Sequence, residues 1–361
     1  MQLGGSRILY IVGLSVGALF HGSCLHALAV DLPALRVENV RRAFHNGEHN
    51  AFTDLCRYRD RFYLTFRSCP DGHGVHPSSS IIVLTSDDAQ NWRQVHRFSV
   101  PRRDTRDPHF LVFKDKLFVF TGTWYCGETS PDSYDMNQHL GYGMWSGDGV
   151  MCSEPAMREG AYGHYIWRAD VYGDRAYLCG RRKREFMETR TREERDPVVE
   201  SALLASDDGL VWHKVGLFQE EYGDETAFLF EDDGSITAVA RSGGGRNAQL
   251  CLLTSPRAEA ERIDLGRYIG GPLLARWAGR YVVGGRKTVG GPAKTSLYWL
   301  AEDALNEFAE LPSGGDNSYP GLVALSPQRA IVSWYSSHES EAGRSITAIY
   351  LADLTMESAG K

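Results

Sequence analysis

The sequence predicts an all-β chain folded as one six-bladed β-propeller, and three observations predict it. Alternation of apolar and polar residues, rich in aromatic and β-branched side chains, dominates the chain, and no long stretch sustains a helical period. One hairpin unit recurs six times. Each copy is followed by further strand-like sequence, so an interval of roughly 45 to 60 residues holds about four strands, the content of a propeller blade.

The copies are "DLCRYRDRFYLTFR" (54–67), "HFLVFKDKLFVFTG" (109–122), "RADVYGDRAYLCGR" (168–181), "TAFLFEDDGSITAVAR" (226–241), "PLLARWAGRYVVGGR" (272–286) and "GLVALSPQRAIVSWY" (321–335). Each reads as a strand, a short turn and a second strand, and runs such as "SIIVLTSDD", "SALLASDDG" and "TSLYWLAED" supply the rest of a blade. A two-sheet sandwich or a solenoid fits this spacing less well. A second mark is periodic too: "TSDDAQNW" (85–92) and "ASDDGLVW" (205–212) share Ser-x-Asp-x-x-x-Trp, and "WSGDGVM" (145–151) is a degenerate third. Ser and Asp there satisfy turn amides, Gly209 takes the special dihedral and the Trp packs beneath.

At 361 residues and 42% hydrophobic, the chain can bury a large core. Its formal charge of −7 argues against nucleic acid or an anionic membrane as the main partner, while leaving room for a local basic pocket. At the N-terminus Arg7 precedes "ILYIVGLSVGALF", and Ala27 and Ala29 then form the small-residue cleavage pattern. The apolar run is short of the ~20 residues of a membrane span. Residues 1–29 are therefore expected to be a signal peptide and 30–361 a single propeller domain, secreted or periplasmic, with no stable membrane insertion after cleavage. Beyond residue 29 the cysteines are Cys56, Cys69, Cys126, Cys152, Cys179 and Cys251. Their spacing gives no zinc motif; Cys56 with Cys69 is the nearest disulfide pair, and six buried thiols are as compatible.

The six copies end at Arg67, Gly122, Arg181, Arg241, Arg286 and Tyr335. Equivalent positions in a propeller ring one axis, so several guanidinium groups are expected to converge on a pocket. In a net-acidic chain such a gathering calls for an anion or for acidic partners. The alternative is that each arginine pairs with a local carboxylate. Arg241 and Arg286 are the stronger candidates, Arg168 in "YIWRADV" is another, and Arg181 sits in "GRRKRE", which reads as solvated surface. In "SGGDNSYPG" (313–321) a tyrosine, Tyr319, stands among turn residues, either packed over the turn or presented for a task.

Taken together, "HNAFTDL", "FRSCPDGHG", "RDPHF", "IWRADV", "DETAFLF…VAR", "GGPLL…VVGGR" and "SGGDNSYPGLV…SWYSSHE" resemble the exo-sialidase (neuraminidase) glycoside hydrolases, in particular a bacterial branch of secreted sialidase-like propellers. The resemblance covers roughly residues 45–355, and the Ser-x-Asp turns are similar to that family's Asp-box (BNR) repeats. It implies a retaining exo-glycosidase for a terminal acidic sugar, sialic acid or similar, working without cofactor or metal. By the same resemblance Tyr319 is the nucleophile, Glu225 its base, Arg241 and Arg286 the clamp on the sugar carboxylate, and Glu339 the acid that steadies an arginine. Asp71 matches the family's acid/base, with Asp54 its rival and His73 or His76 as further proton carriers; Asp107 is placed on hydroxyl or amide groups of the sugar. The family's early Arg-Ile-Pro segment is absent, "HNAFTDL" carrying Asn50 instead, and Arg67 or Arg168 is left to substitute.

The chemistry is coherent. A neutral phenol approaches an anomeric carbon that already bears a carboxylate with less repulsion than a carboxylate nucleophile would meet. Free tyrosine titrates near 10, so it needs an adjacent base and positive charge. Two other readings stand beside this one. A non-catalytic carbohydrate-binding or scaffold propeller would also carry such turns. A neutral-sugar glycosidase would need two pocket carboxylates, which the arginine series argues against.

Overall fold

The structure, a computed structural model, describes residues 32–131, 134–288 and 291–357. The expected signal peptide at 1–29 lies outside the described residues. Among the described residues, twenty-four strands form six four-stranded antiparallel sheets, arranged as the blades of a propeller. The inner strands, in blade order, are His49–Tyr58, Arg103–Phe113, Tyr165–Tyr172, Gly223–Phe230, Gly270–Trp277 and Asn317–Ser326. Each touches the next, and the sixth touches the first, so they close around an axis. Leu35–Phe44 completes the sixth blade by pairing with Arg344–Met356, which clasps the start of the described chain to its end.

The six hairpins of the repeat are the first two strands of the six blades. Because each sheet is covered by its neighbours on both faces, strands such as Ser80–Ser86 and Val199–Ser206 are buried along their whole length. The core therefore lies between blades. Leu111, Phe118 and Phe120 of the second meet Ile166, Leu178 and Trp212 of the third, and Trp299 of the fifth shares a cluster with Trp334 and Tyr350 of the sixth.

The Ser-x-Asp segments form turns of one geometry. Asp88, Asp148 and Asp208 each accept two backbone N–H bonds from residues two and three places on, and Ser86, Ser146 and Ser206 each bond to their own aspartate. The residue after each aspartate has positive φ: Ala89 56°, Gly149 80° and Gly209 78°. All six described cysteines are free thiols. Cys56 cannot meet Cys69, because the first hairpin pairs Cys56 with Tyr63 and Cys69 with His49, at opposite ends.

The inner strands share one further feature at, or just ahead of, the start of each repeat copy. Every inner strand carries a β-bulge at the same place, where two residues oppose one on the second strand. The bulged pairs are Phe52–Thr53, Asp107–Pro108, Trp167–Arg168, Asp224–Glu225, Gly271–Pro272 and Tyr319–Pro320. A bulge bends its strand and re-aims a side chain. Phe52, Asp107, Gly271 and Tyr319 have φ of 65°, 53°, 62° and 55°. For the non-glycine residues this is backbone strain of about 1–3 kcal/mol each, of the kind found at functional sites.

Candidate active site

Tyr319 is 6% exposed, with Phe52, Trp167 and Tyr335 edge-on or tilted around its ring at 4.9, 5.3 and 5.9 Å. Its hydroxyl donates to Glu225 Oε1 at 2.8 Å. Glu225 Oε2 accepts from Arg241 Nη1 at 2.8 Å and from the Gly271 amide at 3.2 Å. Gly271 is glycine for a reason: a Cβ there would stand 2.5 Å from the Tyr319 ring. The guanidinium of Arg286 lies 5.8 Å from the centre of that ring and donates to the Asn317 carbonyl, Asp316 Oδ1 and Tyr335 Oη. Arg241 and Arg286 also line one cavity of about 240 Å³, together with Arg192, Asp224, Tyr268 and Thr288. Both arginines thus reach an open space and the buried Glu225–Tyr319 pair at once.

The electrostatics keep the resting proton on the phenol. Burial raises the Tyr319 hydroxyl well above its ordinary value, and the charges of Glu225 and Asp107 raise it further against Arg241 and Arg286. Burial also opposes ionisation of Glu225, but the charges of Arg241 and Arg181 and the bonds from Arg241 and Tyr319 outweigh it and hold that carboxyl low. A neutral tyrosine therefore donates to a carboxylate, the arrangement a base-assisted phenol nucleophile requires.

Asp107 is 4% exposed; Oδ2 accepts from Tyr165 Oη, and Oδ1 has no hydrogen-bond partner. Burial, then the nearby charge of Glu225, raises its carboxyl to about 6 in spite of Arg106, Tyr165 and Arg181. Asp316 is the opposite case. Burial would raise it, but bonds from His49 and His73 and the charges of His73 and Arg286 hold it strongly ionised. Its Oδ2 takes His49 Nε2 at 3.0 Å and His73 Nδ1 at 2.7 Å, while Oδ1 takes Tyr335 Oη at 2.8 Å. These two histidines and Asp316 place three donor atoms within 4.8 Å of one another. Arg286 already stands 3.2 Å from Asp316 Oδ1, so a metal ion would face a guanidinium across one carboxylate. Two histidines hydrogen-bonded to an ionised aspartate account for the grouping.

The other expected residues lie elsewhere, and each for a visible reason. Arg67 is fully buried and spends its guanidinium on Asp104 and on the carbonyls of Gly72 and Gly74, tying down the following loop. Arg168 is an inter-blade strut, bonded to Asp54 Oδ1 at 2.8 Å and to the carbonyls of Pro272 and Pro320. Asp54 is consumed by that ion pair and by the Phe110 amide. Burial notwithstanding, Arg168 and His109 hold it at about 2, too acidic to carry a proton for catalysis. Asp71 is exposed and accepts from Ser78. Glu339 pairs with Arg42 at 3.4 Å, and the acid that steadies Arg286 is Asp316. Asn50 is buried in bonds to Asn46, the Glu48 and Thr347 carbonyls and Ser68.

Arg181 is a correction in the other direction. It pairs with Asp224, which Arg241 also contacts at 3.2 Å, and lies 5.0 Å from the centre of the Tyr165 ring. The four arginines do not share one register position. Arg67 and Arg286 face the residue before the bulge, Arg181 lies one pair farther out, and Arg241 faces the bulge itself. Arg181 shares Asp224 with Arg241, and Arg241 shares a cavity with Arg286, each arginine also pairing with a carboxylate. Sequence reasoning missed Asp316, Arg106, Asp224 and the aromatic cage. Asp224 and the cage residues Phe52 and Trp167 stand one or two residues ahead of their repeat copies, where the bulges fall.

No protein-family model matches the sequence, and no curated protein matches it. Solved structures do. A Dyadobacter fermentans protein of unknown function superposes with a TM-score of 0.74 at 18% identity, over 90% of this chain and 100% of that one. A Hadza microbial sialidase gives 0.65 at 13% identity over 84% of this chain, and Trypanosoma rangeli sialidase in complex with sialic acid gives 0.59 at 10% over 90%. The chain spans 65% and 59% of those two proteins. At these identities the likeness is one of fold: a sialidase-like six-bladed propeller.

Proposed function

We propose that the chain is a retaining exo-glycosidase of sialidase type, exported, that removes a terminal acidic sugar from glycans. The observation that carries this reading is the buried 2.8 Å bond from Tyr319 to Glu225, flanked by two arginines that reach one cavity. Tyr319 Oη attacks the anomeric carbon while its proton passes to Glu225. Arg241 and Arg286 hold the sugar carboxylate and stabilise the developing phenolate charge. Arg181, linked to Arg241 through Asp224, is the third cationic group in place of the early arginine that this chain lacks. Asp107 offers its unpartnered Oδ1 to a sugar hydroxyl or amide. The Ser-x-Asp turns are Asp-boxes that clasp the outer hairpins, a structural role.

Turnover of fluorogenic sialosides and a panel of other acidic-sugar glycosides tests this. Tyr319→Phe and Glu225→Gln are expected to lose at least about 100-fold in kcat with the fold intact, the range of a lost acid–base or nucleophilic group. A panel with no turnover refutes the enzyme. Binding without turnover would favour a carbohydrate-binding propeller, which the loss of the early arginine at Asn50 supports.

A further inference from the structure

The first blade's loop, where the family resemblance places an acid/base aspartate, does something different here. Asp71 turns to Ser78. His73, two residues on, points its Nδ1 at Asp316 Oδ2, 2.7 Å away, and its side chain is 54% exposed. Its ring meets Phe52 edge-on at 5.6 Å, and Phe52 in turn meets Tyr319 at 4.9 Å. One aromatic ring thus separates His73 from the phenol.

The loop is also fixed with unusual care. Arg106 donates to the carbonyls of both His73 and Gly74, and Arg67 to those of Gly72 and Gly74. Both guanidinium groups are themselves anchored on Asp104. The Arg106 guanidinium further lies 5.4 Å from the centre of the Phe52 ring. A half-exposed histidine on a loop held by the fully buried Arg67 and the half-buried Arg106 is built for position. With Nδ1–H committed to an ionised aspartate, Nε2 is the nitrogen left to exchange a proton, the division of labour of a carboxylate-oriented imidazole.

We propose that the Asp316–His73 pair is the acid/base of this site, in the place expected for Asp71. This rests on the glycosidase reading above. In the first step Tyr319 bonds to the anomeric carbon and gives its proton to Glu225. The glycosidic C–O bond breaks, and its electron pair goes to the leaving oxygen, which takes the proton from His73 Nε2. In the second step neutral His73 Nε2 removes a proton from water, whose oxygen bonds to the anomeric carbon. The bond to Tyr319 breaks, and the phenolate recovers its proton from Glu225. His73 is the catalytic residue and Asp316 the positioning residue.

The test compares glycosides with poor alkyl and good aryl leaving groups, in the full chain and in His73→Ala, His73→Gln, Asp316→Asn, Asp71→Asn and Tyr319→Phe. The His73 variants are expected to lose about 10²–10⁴-fold on the alkyl glycoside. On the aryl glycoside they should form the Tyr319 adduct at near wild-type rate, visible by intact-mass spectrometry, and azide should restore turnover. Asp316→Asn should show the same leaving-group dependence, smaller, and Asp71→Asn none. Equal losses on both substrates, or leaving-group dependence in Asp71→Asn instead, would overturn the proposal. So would wild-type activity abolished by EDTA and restored by zinc. An inactive wild type, or an active Tyr319→Phe, would strike the underlying reading, whereas an active wild type with indifferent His73 variants strikes this inference alone.

Discussion

Replacing Asp107 by asparagine should change how the stability of this protein depends on pH. Asp107 is buried at its bulge, with one oxygen on Tyr165 and the other without a partner. Its carboxyl is raised from 3.8 to about 6, by burial first and then by the charge of Glu225. Because the folded-state value is the higher one, the folded chain holds a proton that the unfolded chain has released between pH 3.8 and 6. Stability from this group is therefore fully present below pH 3.8 and is lost as pH rises through about 6. At about 1.4 kcal/mol per pH unit the loss amounts to about 3 kcal/mol. Asparagine keeps an acceptor for Tyr165 and cannot ionise. The free-energy gap between wild type and Asp107→Asn, from urea unfolding at half-unit steps between pH 4 and 8, should move by about 3 kcal/mol in favour of the variant. In a Glu225→Gln background the wild-type fall should still begin near pH 3.8 but end at lower pH and be smaller, because a raising charge is gone from the folded state. A constant gap across the range, or one that moves the other way, would refute the reasoning.

Asp54→Asn should behave with the opposite sign. Its carboxyl is held at about 2, so its contribution is present above pH 3.8 and lost as pH falls through 2. At neutral pH the variant strands Arg168 among buried carbonyls, and a loss of about 3–5 kcal/mol in unfolding free energy is expected, without leaving-group dependence in whatever activity remains. Gly271→Ala places a methyl 2.5 Å from the Tyr319 ring on a backbone of φ +62°; the left-handed conformation alone costs about 1–2 kcal/mol. Its kcat should fall more than its stability implies, measured side by side on one preparation, because the ring that must move is the proposed nucleophile.

Much of the fold was legible in the sequence because blades repeat. A sheet covered on both faces needs apolar runs at blade spacing, and each tight turn needs its own Asp, Ser or Gly, so six hairpins and three Ser-x-Asp turns are written into the chain. The family resemblance names Tyr319, Glu225, Arg241 and Arg286 together, and the structure makes those four neighbours. Arg67 and Arg168 depart from expectation because a guanidinium looks the same in sequence whether it faces a pocket or spans two blades. Arg168 finds Asp54, 114 positions away in the chain, and no local pattern announces that bond. Arg181 reads as surface in sequence because a basic run usually is, yet it is joined to Asp224 across a blade boundary.

The sequence by itself determined the architecture, since that depends on residue types recurring at fixed spacing, and its family resemblance singled out Tyr319 and Glu225, which the structure joins by a hydrogen bond. Only the tertiary structure decided which arginines are free to serve a cavity, that Asp316 and not Glu339 holds Arg286, and that His73 rather than Asp71 faces inward from its loop. The physical reason is that these contacts join different blades: Asp316, at the entry to the sixth, meets Arg286 of the fifth and His73 of the first, and packing between blades is not recorded in the linear pattern.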